Sequence, residues 1–154
     1  MANSIKPASI SDLETVERIV HDAYVKYTER MGKQPGPMLD DYRQRIQAHE
    51  VWLYLDDRNI AGVLVLSPKS DHLLLDNVAV DPAHHGKGIG RALIEFAERE
   101  AGRRGYGEVR LYTHQKMHEN IAMYPHLGYE ETGRGEQDGF ARVFFRKRIK
   151  SSAL

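Results

Sequence analysis

The stretch HLLLDNVAVDPAHHGKGIGRALIEFAE, residues 72–98, constrains this chain more than any other. Its first half is an apolar run of strand length, expected to be covered on both faces, that ends at Val80. From Ile89 the pattern changes. Ile89, Ala92, Leu93, Phe96 and Ala97 recur on one helical face, with Arg91, Glu95, Glu98 and Arg99 opposite. The junction holds three glycines, Gly86, Gly88 and Gly90, each entropically costly to order. A strand that feeds a helix through such a turn offers free backbone N–H groups at the positive end of the helix dipole, which suits a phosphate. A plain turn without a ligand has the same composition.

The flanking segments place this unit in a mixed α/β chain. IKPASI (5–10) reads as a first strand, and Ser11 with Glu14 fits a capping box. Leu13, Val16, Ile19, Val20, Ala23 and Tyr27 follow helical spacing until Gly32 stops them. KQPGPM (33–38) is a loop before a second helix around 41–49. VWLYL (51–55) and IAGVLVL (60–66) form a hairpin about DDRN (56–59), and GEVRLYT (107–113) is a further strand. A short helix follows near 120–127, then two strands at YEETGR (129–134) and FARVFFRKR (140–148), joined by GEQDG (135–139).

With 154 residues and no repeat or linker, one domain over 1–154 is expected. Twenty-two basic residues balance 22 acidic ones, so no overall field draws the chain to nucleic acid or an anionic membrane. The run RKRIK (146–150) reads either as a phosphate contact or as a solvated strand edge. The start lacks a signal-peptide pattern, and the longest apolar run is too short to span a bilayer as a helix. A soluble, cytoplasmic protein is the expectation. No cysteine is present, which removes disulfides, thiolate metal sites and a cysteine nucleophile. His114 and His118 have the spacing of a zinc pair but lack the glutamate of a metalloprotease helix, so no metal is expected.

Three phosphate-binding patterns compete for the glycine turn. A nucleotide P-loop requires Lys-Ser/Thr after its last glycine, where this chain has Arg91-Ala92. A dinucleotide fingerprint opening at Gly86 requires glycine at 91. The segment Val80-Asp81-Pro82, followed by His85-Gly86-Lys87-Gly88-Ile89-Gly90, instead resembles the pyrophosphate loop of the GNAT superfamily of acyl-CoA N-acyltransferases. That loop reads Arg/Gln-x-x-Gly-x-Gly/Ala, so His85 is the departure. ENIAMYPHLGYEETGR (119–134) resembles the family's second signature, Asn…Tyr-x-x-x-Gly-Tyr/Phe, and the order of strands and helices matches along nearly the whole chain.

The resemblance implies a mixed, mostly antiparallel sheet of about seven strands flanked by about four helices. It implies acetyl-CoA as donor, with the backbone of Val78, Ala79 and Val80 pairing with the pantetheine and one N–H stabilising the oxyanion. His85, Gly86, Lys87, Gly88, Ile89, Gly90 and Arg91 would hold the pyrophosphate, and Asn120 would touch the pantetheine arm. Tyr124 would face the thioester sulfur as general acid. Four residues separate Asn120 from Tyr124, which sets both on one helical face, although Pro125 disfavours helical geometry at Tyr124. Asp76 stands where many members carry a glutamate base. A purely structural ion pair is its other reading, and His114 is a second candidate for the base.

Acyl transfer without cysteine favours direct attack by an amine in a ternary complex. The acceptor, a small-molecule or peptide amine, would meet Tyr24, Tyr27, residues 33–38 including Met38, Tyr42 and the turn 135–139; ordinary packing is the alternative for the tyrosines and Met38. Glu136 and Asp138 would attract a cationic amine or form a solvated turn. A noncatalytic acyl-CoA-binding module on the same fold is the competing function, because fold alone does not establish activity. A homodimer suits such folds, but no residue pattern marks an interface.

Overall fold

The computed structural model describes residues 3–150, so both ends of the expected 1–154 domain lie outside the described residues. β1 (Asn3–Pro7) runs into a capping box two residues earlier than Ser11 and Glu14 suggest. Ser9 N–H donates to Asp12 Oδ2 at 2.8 Å, and a 3-10 turn at Ile10–Asp12 precedes α1 (Leu13–Tyr24). Ser11 already lies inside that turn, past the position where a side chain can cap. Val16, Ile19 and Val20 form the buried stripe of α1. α2 (Lys26–Met31) follows almost without interruption and stops at Gly32, whose left-handed φ of 74° terminates it. α3 (Tyr42–Gln47) begins where Asp41 accepts a hydrogen bond from Gln44 N–H.

β2 (Val51–Asp56) and β3 (Asn59–Pro68) form the expected hairpin, turning at Asp57 with φ 60°. β4 (Leu73–Val80) leads through the glycine turn to α4 (Ile89–Arg103). β5 (Glu108–His114), α5 (His118–His126), β6 (Glu130–Gln137) and β7 (Phe140–Arg148) complete the chain. Asp138 and Gly139, both at positive φ, make a two-residue turn, so the last hairpin is tighter than GEQDG implied. β4 also departs from expectation. Burial alternates along it, and only the face carrying Leu73, Leu75, Asn77 and Ala79 is fully covered. The face of Leu74, Asp76, Val78 and Val80 is half-buried.

The chain forms two compact units, with β4 and α4 contributing to both. In the first (residues up to 66, and 77–96) the strand order is β1-β2-β3-β4, with β1–β2 and β2–β3 antiparallel. In the second (67–76 and from 97 on) the order is β4-β5-β7-β6. There β4 and β5 pair in parallel from Leu73–Val109 to Leu75–Leu111, and the other two pairs are antiparallel. Among the described residues the result is a seven-stranded, mostly antiparallel α/β fold with five α-helices, one more than expected because α2 separates from α1.

Gly62 of β3 sets how closely α4 packs in the first unit. A methyl group there would lie 3.0 Å from both Ile89 Cγ2 and Leu93 Cδ1. Gly62→Ala is therefore expected to cost about 1–3 kcal/mol through overpacking, read as a lower denaturant midpoint at unchanged slope. An unchanged midpoint would mean that α4 shifts freely.

Candidate active site

In the first unit, the chain leaving β4 is clamped before the glycines begin. Asp81 N–H donates to Ala61 O, and the Asp81 carboxylate accepts from Ala83 N–H at 3.0 Å and from Arg18 at 3.2 Å. Pro82 opens a 3-10 turn that ends at His84. Gly86 and Gly88 then adopt φ of 83° and 73°, where a side chain is strained, and the space that a Cβ would enter at either is open. Gly90 differs. It lies inside α4, and a Cβ would make ordinary 3.6 Å contact with Val80. The first bond across this junction runs from Ala92 N–H to Gly88 C=O, so the donors from Gly86 to Arg91 precede the helical ladder. His85 is exposed in extended backbone, and Arg91 pairs with Glu95 at 3.1 Å.

Asp56, at the end of β2, holds this loop from outside. It accepts from Lys87 Nζ at 2.8 Å and from His84 Nδ1 at 3.1 Å. These two donors, Lys87 first, keep its carboxyl below the ordinary 3.8. A depressed folded-state value stabilises the protein above the unfolded-state pKa, and that contribution is lost as pH falls through the folded value. Asp56→Asn should therefore make acid unfolding shallower below about pH 4, measured as melting temperature against pH. An unaltered acid limb would detach Asp56 from loop stability.

Behind Val78 sits a buried polar hub. The Tyr24 hydroxyl lies 2.6 Å from Asn77 Oδ1 and 2.9 Å from Val78 O, with its proton shared between them. Asn77 Nδ2 donates to the Tyr42 hydroxyl, which donates to Pro37 O. Tyr24, Tyr27 and Tyr42 are all buried. Burial and these bonds give the tyrosines a packing role in the scaffold, and Met38 rests against Thr28. Sequence reading missed Asn77, because a polar residue in an apolar run reveals its partners only once α1 and α3 are in place.

In the second unit the Tyr112 hydroxyl donates to Asp76 Oδ1 at 2.8 Å, orienting the carboxylate. The Arg142 guanidinium stacks 3.9 Å above the Tyr112 ring. Neither Tyr112 nor Arg142 was identified from sequence; the signal would have been the parallel register of β4 and β5. His114 Nδ1 accepts from Lys116 N–H, and its ring meets Phe140 edge-on. Among the described residues no cluster of three or more metal-ligating side chains occurs, and no helix is long and apolar enough to cross a membrane.

α5 continues through Pro125, so Asn120 and Tyr124 do share a helical face. Asn120 Nδ2 donates to Thr113 Oγ1 at 3.3 Å. The ring of Tyr124, 7% exposed, packs 5.8 Å from Tyr129 and 5.6 Å from Phe145. Burial and the neighbouring Glu98 carboxylate push the Tyr129 phenol far up, so it remains a donor to Glu98 at 3.0 Å. Asp138, expected to attract an amine, lies 4.0 Å from Arg142.

The profile of the Acetyltransferase (GNAT) family matches residues 14–129, a span that takes in the glycine loop, Asp76, Asn120 and Tyr124. This chain belongs to that family. Among curated relatives, N-acetyltransferase family 8 member 3 of Rattus norvegicus is 29% identical over 104 residues, covering 62% of this chain and 46% of the relative. Probable N-acetyltransferase 14 of Xenopus tropicalis is 30% identical over 108 residues, covering 68% and 52%. The chain thus spans about half the length of these relatives. The ribosomal-protein-S18-alanine N-acetyltransferase structure from Escherichia coli matches with a TM-score of 0.76 at 21% identity, covering 99% and 97% of the two chains. The PaiA N-acetyltransferase of Thermoplasma acidophilum, in complex with coenzyme A, matches at 0.74 and 20% identity, covering 97% and 100%. These likenesses place the GNAT fold across the chain.

Proposed function

We propose that this GNAT chain acts as one cytoplasmic N-acetyltransferase domain, moving the acetyl group of acetyl-CoA to an amine by direct attack. The glycine loop carries the reading: two left-handed glycines expose backbone donors in front of a 15-residue helix, with open space where side chains would stand. The residues fit the group. Donors from Gly86 to Arg91, with Lys87 and His85 beside them, would hold the pyrophosphate. Backbone groups of Val78, Ala79 and Val80 would pair with the pantetheine, whose arm Asn120 would also touch. Acetyl-CoA supplies an acyl carbon activated by a thiolate leaving group.

Asp76, oriented by Tyr112, takes the proton that the amine must lose as its nitrogen bonds to the acyl carbon. Tyr124 gives its proton to the sulfur as the carbon–sulfur bond breaks. A phenol is a weak acid that holds its proton in neutral solution, which suits this donor role. The acceptor is a small-molecule or peptide amine. The Escherichia coli relative named for bS18 alanine, 38% identical over 61 residues, gives a peptide terminus a place among the acceptors to try.

The test is release of free CoA thiol from acetyl-CoA with pooled polyamines, aminoglycosides, amino acids and short peptides. The missing cysteines keep the protein's own thiol background at zero. Amine-dependent release is expected in one pool. Tight acetyl-CoA binding with no release in any pool would favour the noncatalytic acyl-CoA-binding module instead.

A further inference from the structure

The second unit presents a half-buried sheet face with Leu74 and Asp76 from β4, Tyr112 from β5, and Arg142 and Phe144 from β7. A cavity of about 440 Å3 on this face is lined by Leu74, Tyr112 and Phe144 together with Arg110 and Arg146, so Tyr112 joins it to Asp76. Arg142 is not equivalent to its neighbours Arg110 and Arg146. Arg110 is held by Glu108, and Arg146 lies 2.7 Å from Glu130. Their charge is spent inside the fold.

Arg142 is different. Its side chain is 12% exposed, yet among the described residues its nearest carboxylate is Asp138 at 4.0 Å, itself 81% exposed. Its Nε donates to Gln137 O at 3.3 Å, and its central carbon lies 3.9 Å from the centre of the Tyr112 ring and 5.3 Å from that of Phe140. A guanidinium so far removed from water usually has a close anion. Here the ring stacking fixes its position, while one amino group at its end makes a long, 4.0 Å ion pair with an exposed carboxylate. The same Tyr112 that carries Arg142 on its face holds Asp76 at its hydroxyl. A basic anchor and an acidic group therefore flank a single phenol ring, beside a cavity with a partly apolar lining.

We propose that Arg142 anchors an acidic group of the acceptor, so that the substrate is an amine bearing a carboxylate, of the amino-acid class. Its amine lies toward Asp76, its carboxylate accepts from Arg142, and its side chain enters the cavity over Leu74 and Phe144. This inference rests on the acetyltransferase reading above and assigns its acceptor.

The experiment compares amino acids with their own carboxamides as acceptors, after calorimetry has shown that the protein binds acetyl-CoA. With wild type, kcat/KM is expected to favour the acid by about 10- to 100-fold, the range of a charge-assisted hydrogen bond pair. Arg142→Gln should abolish that preference by raising KM for the acid far more than for the carboxamide. Arg142→Lys, which keeps charge but loses the planar fork, should retain part of it. A purely structural Arg142 would lower acid and carboxamide alike, and that result overturns the proposal. So does equal or better turnover of carboxamides by wild type, or silence of every acid in a protein that binds acetyl-CoA. Failure to bind acetyl-CoA at all would strike the acetyltransferase reading instead.

Discussion

Gly88→Val is expected to leave a folded protein that has lost acetyl-CoA binding by 100-fold or more. At φ 73° a β-branched residue is strained, at a cost of about 1–2 kcal/mol. Nothing of the protein lies within 4 Å of the added Cβ, so no internal clash threatens the fold. The damage falls on the space outside, where the backbone donors point. A β-branched side chain at that position stands between those donors and a phosphate, and it draws the backbone away from the left-handed geometry that aims them. Calorimetry with acetyl-CoA and a thermal melt on the same sample separate the two effects. Unchanged affinity in Gly88→Val would remove the pyrophosphate role from the loop.

That loop also shows how far the sequence could be read. Three alternate glycines between a strand and a helix announce an exposed backbone, but they look equivalent on the page. Folding divides them. Gly86 and Gly88 supply left-handed backbone, whereas Gly90 is an ordinary helical residue close to Val80. Periodicity identified β4, α4 and both hairpins, because a buried face leaves its period in the sequence. It could not show that β4 has one half-open face, since an apolar run looks the same whether one side or two are covered. The capping box slipped by two residues for a similar reason: Ser9–Asp12 and Ser11–Glu14 satisfy one pattern, and only the turn at Ile10–Asp12 chooses between them. Asp76 was legible as an acid on the face of Val78. Its donor Tyr112 and the stacked Arg142 depend on the pairing of β4 with β5 and β5 with β7, which no local pattern encodes.

Tyr124→Phe is expected to lower turnover by ~10²-fold or more while changing acetyl-CoA affinity little, the magnitude of a lost general acid. The substitution suits the question because the ring remains. Its contacts with Tyr129 and Phe145, at 5.8 and 5.6 Å, belong to the ring and survive removal of the oxygen. Stability should therefore move by no more than about 1 kcal/mol, the net contribution of an ordinary hydrogen bond. Tyr129, edge-on to Tyr124, supplies the opposite signature. Its hydroxyl donates to Glu98, which also accepts from Lys147 at 2.8 Å, so Tyr129→Phe removes one partner from a partly buried carboxylate. That change should cost about 1–3 kcal/mol of stability and leave turnover per folded molecule within a few-fold of wild type. Two neighbouring phenols would then separate chemistry from packing. If Tyr124→Phe retained near-wild-type turnover, the proton for the sulfur would come from elsewhere, and Tyr124 would rank with Tyr129 as a core aromatic.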